Sequence, residues 1–155
     1  MRRFTGRSVV KGAAEGPALV ARTPINFAAA LTKPQNILPW RRDEMRDRHH
    51  ELFGKKLSGT VLVFPACIGS TYTGMMLLEL AVRGVAPAAM IVRDCDSLLA
   101  GGSILGEVWY DRGIPLVECK DEELYALIRT GDSVMVDASS GEITVHPRTD
   151  PEKAL

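Results

Sequence analysis

Residues Leu57 to Leu80 read LSGTVLVFPACIGSTYTGMMLLEL, and they contain a change of pattern that decides the architecture. The run Thr60 to Phe64 (TVLVF) is continuous, apolar and β-branched, as a strand buried on both faces requires, and Pro65 closes it. Thr73 to Arg83 (TGMMLLELAVR) then places Met76, Leu77, Leu80 and Ala81 at helical spacing, with Gly84 as the stop. Between them lies a short loop of glycines, hydroxyls and one cysteine. At such a strand-to-helix junction the first helical amides lack intrahelical partners and can meet an anionic ligand.

The same alternation continues on both sides. Ala88 to Val92 (AAMIV), Ile114 to Glu118 (IPLVE) and Ser133 to Asp137 (SVMVD) read as strands, and Gly141 divides the last from EITVH as a terminal hairpin. Ser97 to Gly106 reads as a short helix or turn. Asp121 to Arg129 reads as a helix with acids in its first turn. Phe4 to Arg22 suggests two strands joined by a glycine turn, whereas Thr23 to Gly54, interrupted by Pro24, Pro34 and Pro39, is a long irregular connection that covers something or is functional. The fold class is therefore α/β, a mixed layered domain with parallel crossovers in the centre and antiparallel pieces at the margins. The segment from Pro147 is expected to fray.

Composition removes several functions. With 155 residues the chain has the size of one domain, and 19 basic against 19 acidic residues leave no nucleic-acid footprint and no membrane-attracting field. The arginines among Met1 to Arg7 read as a solvated terminus. No apolar run approaches a membrane span, and no apolar segment follows Arg2 and Arg3 as in a signal peptide, so a cytoplasmic location is expected. Cys67, Cys95 and Cys119 lack CxxC spacing, which argues for thiols rather than a disulfide framework or a self-contained zinc site.

The chemistry-bearing candidates cluster in the loop. Ser70, Thr71 and Thr73, flanked by Gly69 and Gly74, supply more hydroxyls than one helix cap needs. No Gly-Lys-Ser/Thr follows, so the loop is not a P-loop. Cys67 shares it, while Cys95 and Cys119 read as structural. His49 and His50 end a charged run and read as a solvated face. Arg93, Asp94 and Asp96 read as strand-end ion pairs.

Taken in order, Pro24-Ile25-Asn26-Phe27, His49-His50 with Leu52-Phe53-Gly54-Lys55, GTVLVFP from Gly59, Gly69-Ser70-Thr71, Leu77-Leu78-Glu79-Leu80, Ala86-Pro87-Ala88-Ala89 and Gly113-Ile114-Pro115 resemble the small, swivelling domain of the aconitase X family. The likeness covers roughly Phe4 to Val145. It implies a single β/β/α swivel domain over residues 1–155, with its ordered core at about 4–146, that closes over a large subunit. That large subunit would hold most ligands of an iron or iron-sulfur centre, and the small one would be inactive without it. Family members are dehydratases, of cis-3-hydroxy-L-proline or of mevalonate 5-phosphate.

The resemblance carries the role of catalytic base onto Ser70, with Gly69, Thr71 and Thr73 orienting a small hydroxy-acid substrate and Cys67 a candidate metal ligand. Phosphomevalonate-type members resemble Gly-Arg-Gly-Ser-Ser-Thr-Gly-Ser across the loop. Here Ile68 stands where that arginine would meet a phosphate, which favours the hydroxyproline-type substrate. The alternatives are a mevalonate 5-phosphate dehydratase small subunit and a non-catalytic anion-binding module.

Overall fold

The computed structural model describes residues 1–148. Its strands are β1 (Arg2–Thr5), β2 (Arg7–Val10), β3 (Ala13–Val20), β4 (Val61–Ala66), β5 (Ala89–Asp94), β6 (Leu116–Glu118), β7 (Ser133–Asp137) and β8 (Glu142–His146). The helices are α1 (Phe27–Leu31), α2 (Thr73–Val82), α3 (Ser97–Tyr110) and α4 (Glu122–Leu127). The strands order as β1-β8-β7-β3-β4-β5-β6-β2. The centre, β3 to β6, is parallel, and the pairs outside it are antiparallel. This is the mixed α/β layering that the sequence pattern predicts.

The strands at the two ends of that order, β1 and β2, are separated in the chain by Gly6 alone. The sheet therefore curls until its edges meet. Gly6 sits where they do: its amide donates to the Gly141 carbonyl at 2.9 Å, and a Cβ on it would lie 2.5 Å from the Glu118 carbonyl oxygen. Only a glycine leaves both neighbouring backbones that close.

Alternate residues of the central strands feed two cores. Leu62 and Phe64 of β4, Met90 and Val92 of β5 and Leu116 of β6 pack with Phe27, Leu77 and Leu99 on the helical side. Val61, Val63, Ile91 and Val117 pack on the other side with Phe4, Val134, Val136, Ile143 and Val145. Burial on both faces explains the unbroken apolar runs. β3 serves both parts of the sheet: Ala13 to Pro17 pair with β7, and Ala18 to Val20 pair with β4.

Several sequence expectations change. The arginine-rich start is exposed but is not a free terminus, because Arg2–Thr5 is a sheet strand whose Phe4 enters the core. The two opening strands exist as β2 and β3, yet they pair with β6 and with β4 and β7 instead of with each other. β4 runs through Pro65 to Ala66, since a strand needs no donor at every position. His50 is buried, with Nδ1 accepting the Leu52 amide at 3.1 Å and Nε2 lying 3.2 Å from the Thr23 hydroxyl, so it ties the long connection together. Arg93 and Asp94 do form a strand-end ion pair at 3.0 Å, and the Asp96 carboxylate caps α3 through the Leu99 amide at 2.8 Å. Residues 149–155 of the expected frayed tail lie outside the described residues.

The largest change is α3, which runs fourteen residues to Tyr110 rather than forming a short helix or turn over Ser97 to Gly106. Its glycines hide the helix from propensity but create its packing. At Gly102 a Cβ would fall 2.2 Å from the Gly74 carbonyl oxygen of α2, and at Gly106 it would meet the Arg112 carbonyl oxygen at 2.8 Å. Gly102→Ala should destabilise the protein by about 1–3 kcal/mol in urea unfolding through overpacking, whereas Gly101, with open space around it, should tolerate alanine or gain up to about 1 kcal/mol from helix propensity. Equal effects at the two positions would refute close helix contact as the cause.

A second test concerns Glu118, whose side chain is only 11% exposed. Its carboxylate accepts the Cys95 amide and the Arg7 Nε–H, both at 2.9 Å. These bonds hold its carboxyl below the usual glutamate range, against the opposing effect of burial. A folded value below the unfolded one, about 4.3, gives stabilisation that is present above the unfolded value and lost as pH falls through the folded one. Glu118→Gln should lower Tm at pH 7, and the gap to wild type should close towards pH 3. A gap independent of pH would assign the effect to something other than the carboxylate.

Candidate functional site

The site grows from the carboxyl end of β4, where ligands gather in open α/β sheets. The segment leaving β3 runs beside it: the Ile25 amide donates to the Ala66 carbonyl and the Ile68 amide donates to the Ile25 carbonyl, both at 3.0 Å, making a parallel bridge between Ile25 and Cys67. That bridge fixes where the loop begins. Gly69 follows with φ +90°, in the left-handed region that favours glycine. Asn26 lies directly against it, since a Cβ on Gly69 would come within 2.3 Å of Asn26 Nδ2. The Asn26 side-chain Oδ1 caps α1 by accepting the Ala29 amide at 3.0 Å, which leaves its NH2 towards the loop.

Ser70 is half-buried between exposed Gly69 and exposed Thr71. Its Oγ accepts the Tyr72 amide at 3.0 Å and, among the described residues, donates to no protein atom. Its carbonyl accepts both the Thr73 amide at 3.2 Å and the Thr73 hydroxyl at 3.0 Å. Thr73 is 1% exposed. Its hydroxyl therefore holds Ser70 from below rather than facing a substrate, which corrects its expected role. Thr71 and Gly69 stand at the surface beside Ser70.

Chemically, an N–H aimed at Oγ and the positive end of α2 both favour negative charge on the serine oxygen. The loop presents, at a strand end, a half-buried hydroxyl that accepts one backbone N–H.

Cys67 is half-buried and packs against the helical-side core. Burial, helped by Asp96 and Cys95, pushes its thiol well above the ordinary range. Burial likewise pushes the Cys95 thiol up to about 11, with Glu118 and Asp96 adding to it. Among the described residues no group of three or more His, Cys, Asp or Glu side chains could hold a metal ion. These residues do not fit an iron centre on their own. Cys95 and Cys119 are structural thiols, the latter buried. Among the described residues no helix is long and apolar enough to cross a membrane.

Comparison with known proteins follows the same outline. The family model for the aconitase X swivel domain matches residues 3–145. The chain belongs to the aconitase X swivel-domain family. Its relatives include the phosphomevalonate dehydratase small subunit of Archaeoglobus fulgidus, 35% identical over 141 residues that cover 91% of this chain and 96% of the relative. That of Methanocaldococcus jannaschii is 34% identical over 140 residues, covering 90% and 95%. Among solved structures, the crystal structure of Thermococcus kodakaraensis aconitase X in its holo-form superposes with a TM-score of 0.79 at 29% identity, covering 95% of this chain and 100% of that one. A solution NMR structure of a UPF0107 protein gives 0.79 at 33% identity, covering 94% and 100%. In this aconitase X swivel domain Asn26 is the loop residue that sequence reasoning passed over. Its signal was the Pro-Ile-Asn-Phe order, a cap residue ahead of an apolar helix start.

The Asn26–Gly69 contact can be tested by a double-mutant cycle. Gly69→Ala should cost about 1–3 kcal/mol from strain at positive φ and the clash. In an Asn26→Gly background, which keeps most of the capping free energy, part of that loss should return. Strictly additive costs would show that Asn26 does not shape the loop.

Proposed function

We propose that this chain is the small subunit of an aconitase X-type dehydratase whose substrate is a phosphomevalonate-type hydroxy acid, with Ser70 as the base. The observation that carries the reading is the extent of the likeness to proteins of that name: 35% identity over 141 residues, nearly end to end in both chains. It displaces the hydroxyproline substrate as the first choice. Ile68, exposed where a phosphate-binding arginine was looked for, is the one feature that keeps hydroxyproline as the second reading. With no arginine there, the phosphate would be met by the larger chain.

Both substrates pose the same chemical problem. A proton must leave the carbon beside the carboxyl group, and a hydroxyl must leave the next carbon, so that a C=C or C=N product and water result. Serine is a weak base at its free pKa, so its oxygen has to be stabilised as an anion before it can take that proton. The Tyr72 amide at 3.0 Å and the first turn of α2 supply this stabilisation. Thr73 fixes the backbone from which Ser70 projects. Gly69 and Thr71 leave room and a hydroxyl for the substrate carboxylate. The iron or iron-sulfur centre that the resemblance implies belongs, in this reading, on the larger subunit.

The reading is tested on the protein purified together with its larger subunit. Mevalonate 5-phosphate should be dehydrated and cis-3-hydroxy-L-proline should not; the reverse would return the second reading. Ser70→Ala should lower kcat by about 10²–10⁴-fold while the two chains still co-purify. Near-normal turnover of that variant would remove Ser70 as the base.

A further inference from the structure

The outer surface of the two helices beside the site is apolar where a solvated surface should be charged. Of the ten residues of α2 only Glu79 carries a charge, and of the fourteen of α3 only Glu107. Each is already engaged: Glu79 pairs with Arg83 at 2.8 Å, and Glu107 accepts the Gly113 amide at 3.0 Å. Both helices bury one face in the core through Leu77, Leu80 and Leu99. A helix that is apolar all round is normally buried all round. Here the second face is open, with Tyr72 62%, Met75 56%, Val108 71% and Trp109 63% exposed, and with Ile104 and Tyr110 beside them.

Tyr72, Met75 and Tyr110 share one groove, and Ile104, Val108 and Trp109 are exposed on the same helix as Tyr110. The close approach at Gly74 and Gly102 brings the helices together, and Tyr72, just before α2, lines a common groove with Met75 and Val82 of α2 and Tyr110 of α3. The groove is edged by Glu79 and Arg83, and Asp111 and Arg112 follow the end of α3 in exposed positions. An aromatic-rich apolar centre with a polar rim is the composition of a stable protein–protein contact.

We infer that this α2–α3 face is where the large subunit of the dehydratase docks. The inference rests on the small-subunit reading above. Continuity with the site selects this occupant. Tyr72 belongs both to the groove and to the loop, its amide bonds Ser70 Oγ, and exposed Ile68 lies two residues before Ser70. A partner that completes the site around Ser70 covers this face in the same contact. The expected partner surface is apolar, with about 800 Å² buried on each side as in standard complexes.

The test measures binding of the isolated chain to its purified large subunit, with turnover of the assembled pair followed in parallel. Val108→Asp and Trp109→Asp, both on the outer face of α3, should weaken binding at least tenfold without altering the circular dichroism or Tm of the isolated chain. Met135→Asp, on the exposed face of β7 away from these helices, is the control and should bind as wild type. Turnover lost by the α3 variants should return when their concentration is raised, which a catalytic defect would not allow. Wild-type binding by both α3 variants overturns the proposal. So does an isolated chain that dimerises through this face, with the variants abolishing the dimer and leaving large-subunit binding intact. Failure of the wild-type chain to bind the large subunit at all would instead remove the small-subunit reading itself.

Discussion

The contact at Gly6 sets the geometry of the whole domain. One residue joins strands that stand at opposite ends of an eight-strand order, so the sheet has no choice but to close. The closure is made by backbone against backbone: Gly6 lies between the Gly141 and Glu118 carbonyls, and a Cβ on Gly141 would in turn fall 2.2 Å from the Gly6 oxygen. Bringing the edges together encloses the second core, where Phe4 meets Val134, Val136 and Val145.

Closure on one side leaves the helices on the other, and that asymmetry places the loop. With β3 to β6 parallel, the carboxyl ends of β4 and β5 point the same way, and the chain must turn there into α2 and α3. The Ser70 corner is held by groups that are themselves fixed. Buried Thr73 supports its carbonyl, and the Ile25–Cys67 bridge sets the approach. Asn26 presses on Gly69 from the side. A reactive side chain mounted on so constrained a backbone needs little reorganisation before it acts.

Much of this was legible from residues alone because the signals were local and strong. The change from TVLVF to the period of TGMMLLEL marks β4, the loop and α2, and Gly141 marks the last hairpin. What escaped were features decided by distant partners. α3 was shortened because Gly101, Gly102 and Gly106 argue against a helix until Gly74 is seen to need their room. Gly6 carries no signal of its own in the sequence, since nothing nearby says that its neighbours pair with β8 and β6. His50 looked solvated among its charged neighbours, because its acceptor and donor partners, Leu52 and Thr23, stand outside that pattern. Thr73 was counted as a ligand group because a hydroxyl on a loop reads the same whether it faces outward or under the chain.

The pairing of β1 with β8 has a consequence for synthesis in the cell. Among the described strands β1 is the first made and its partner, Glu142–His146, the last, so Phe4 is covered only after the strands between them have been synthesised. Until then, neither edge of the sheet is protected. Long-range strand pairing of this kind is slow and exposes apolar surface meanwhile. The exposed arginines at positions 2, 3 and 7 give that edge segment positive charge, a feature that disfavours pairing with a foreign strand.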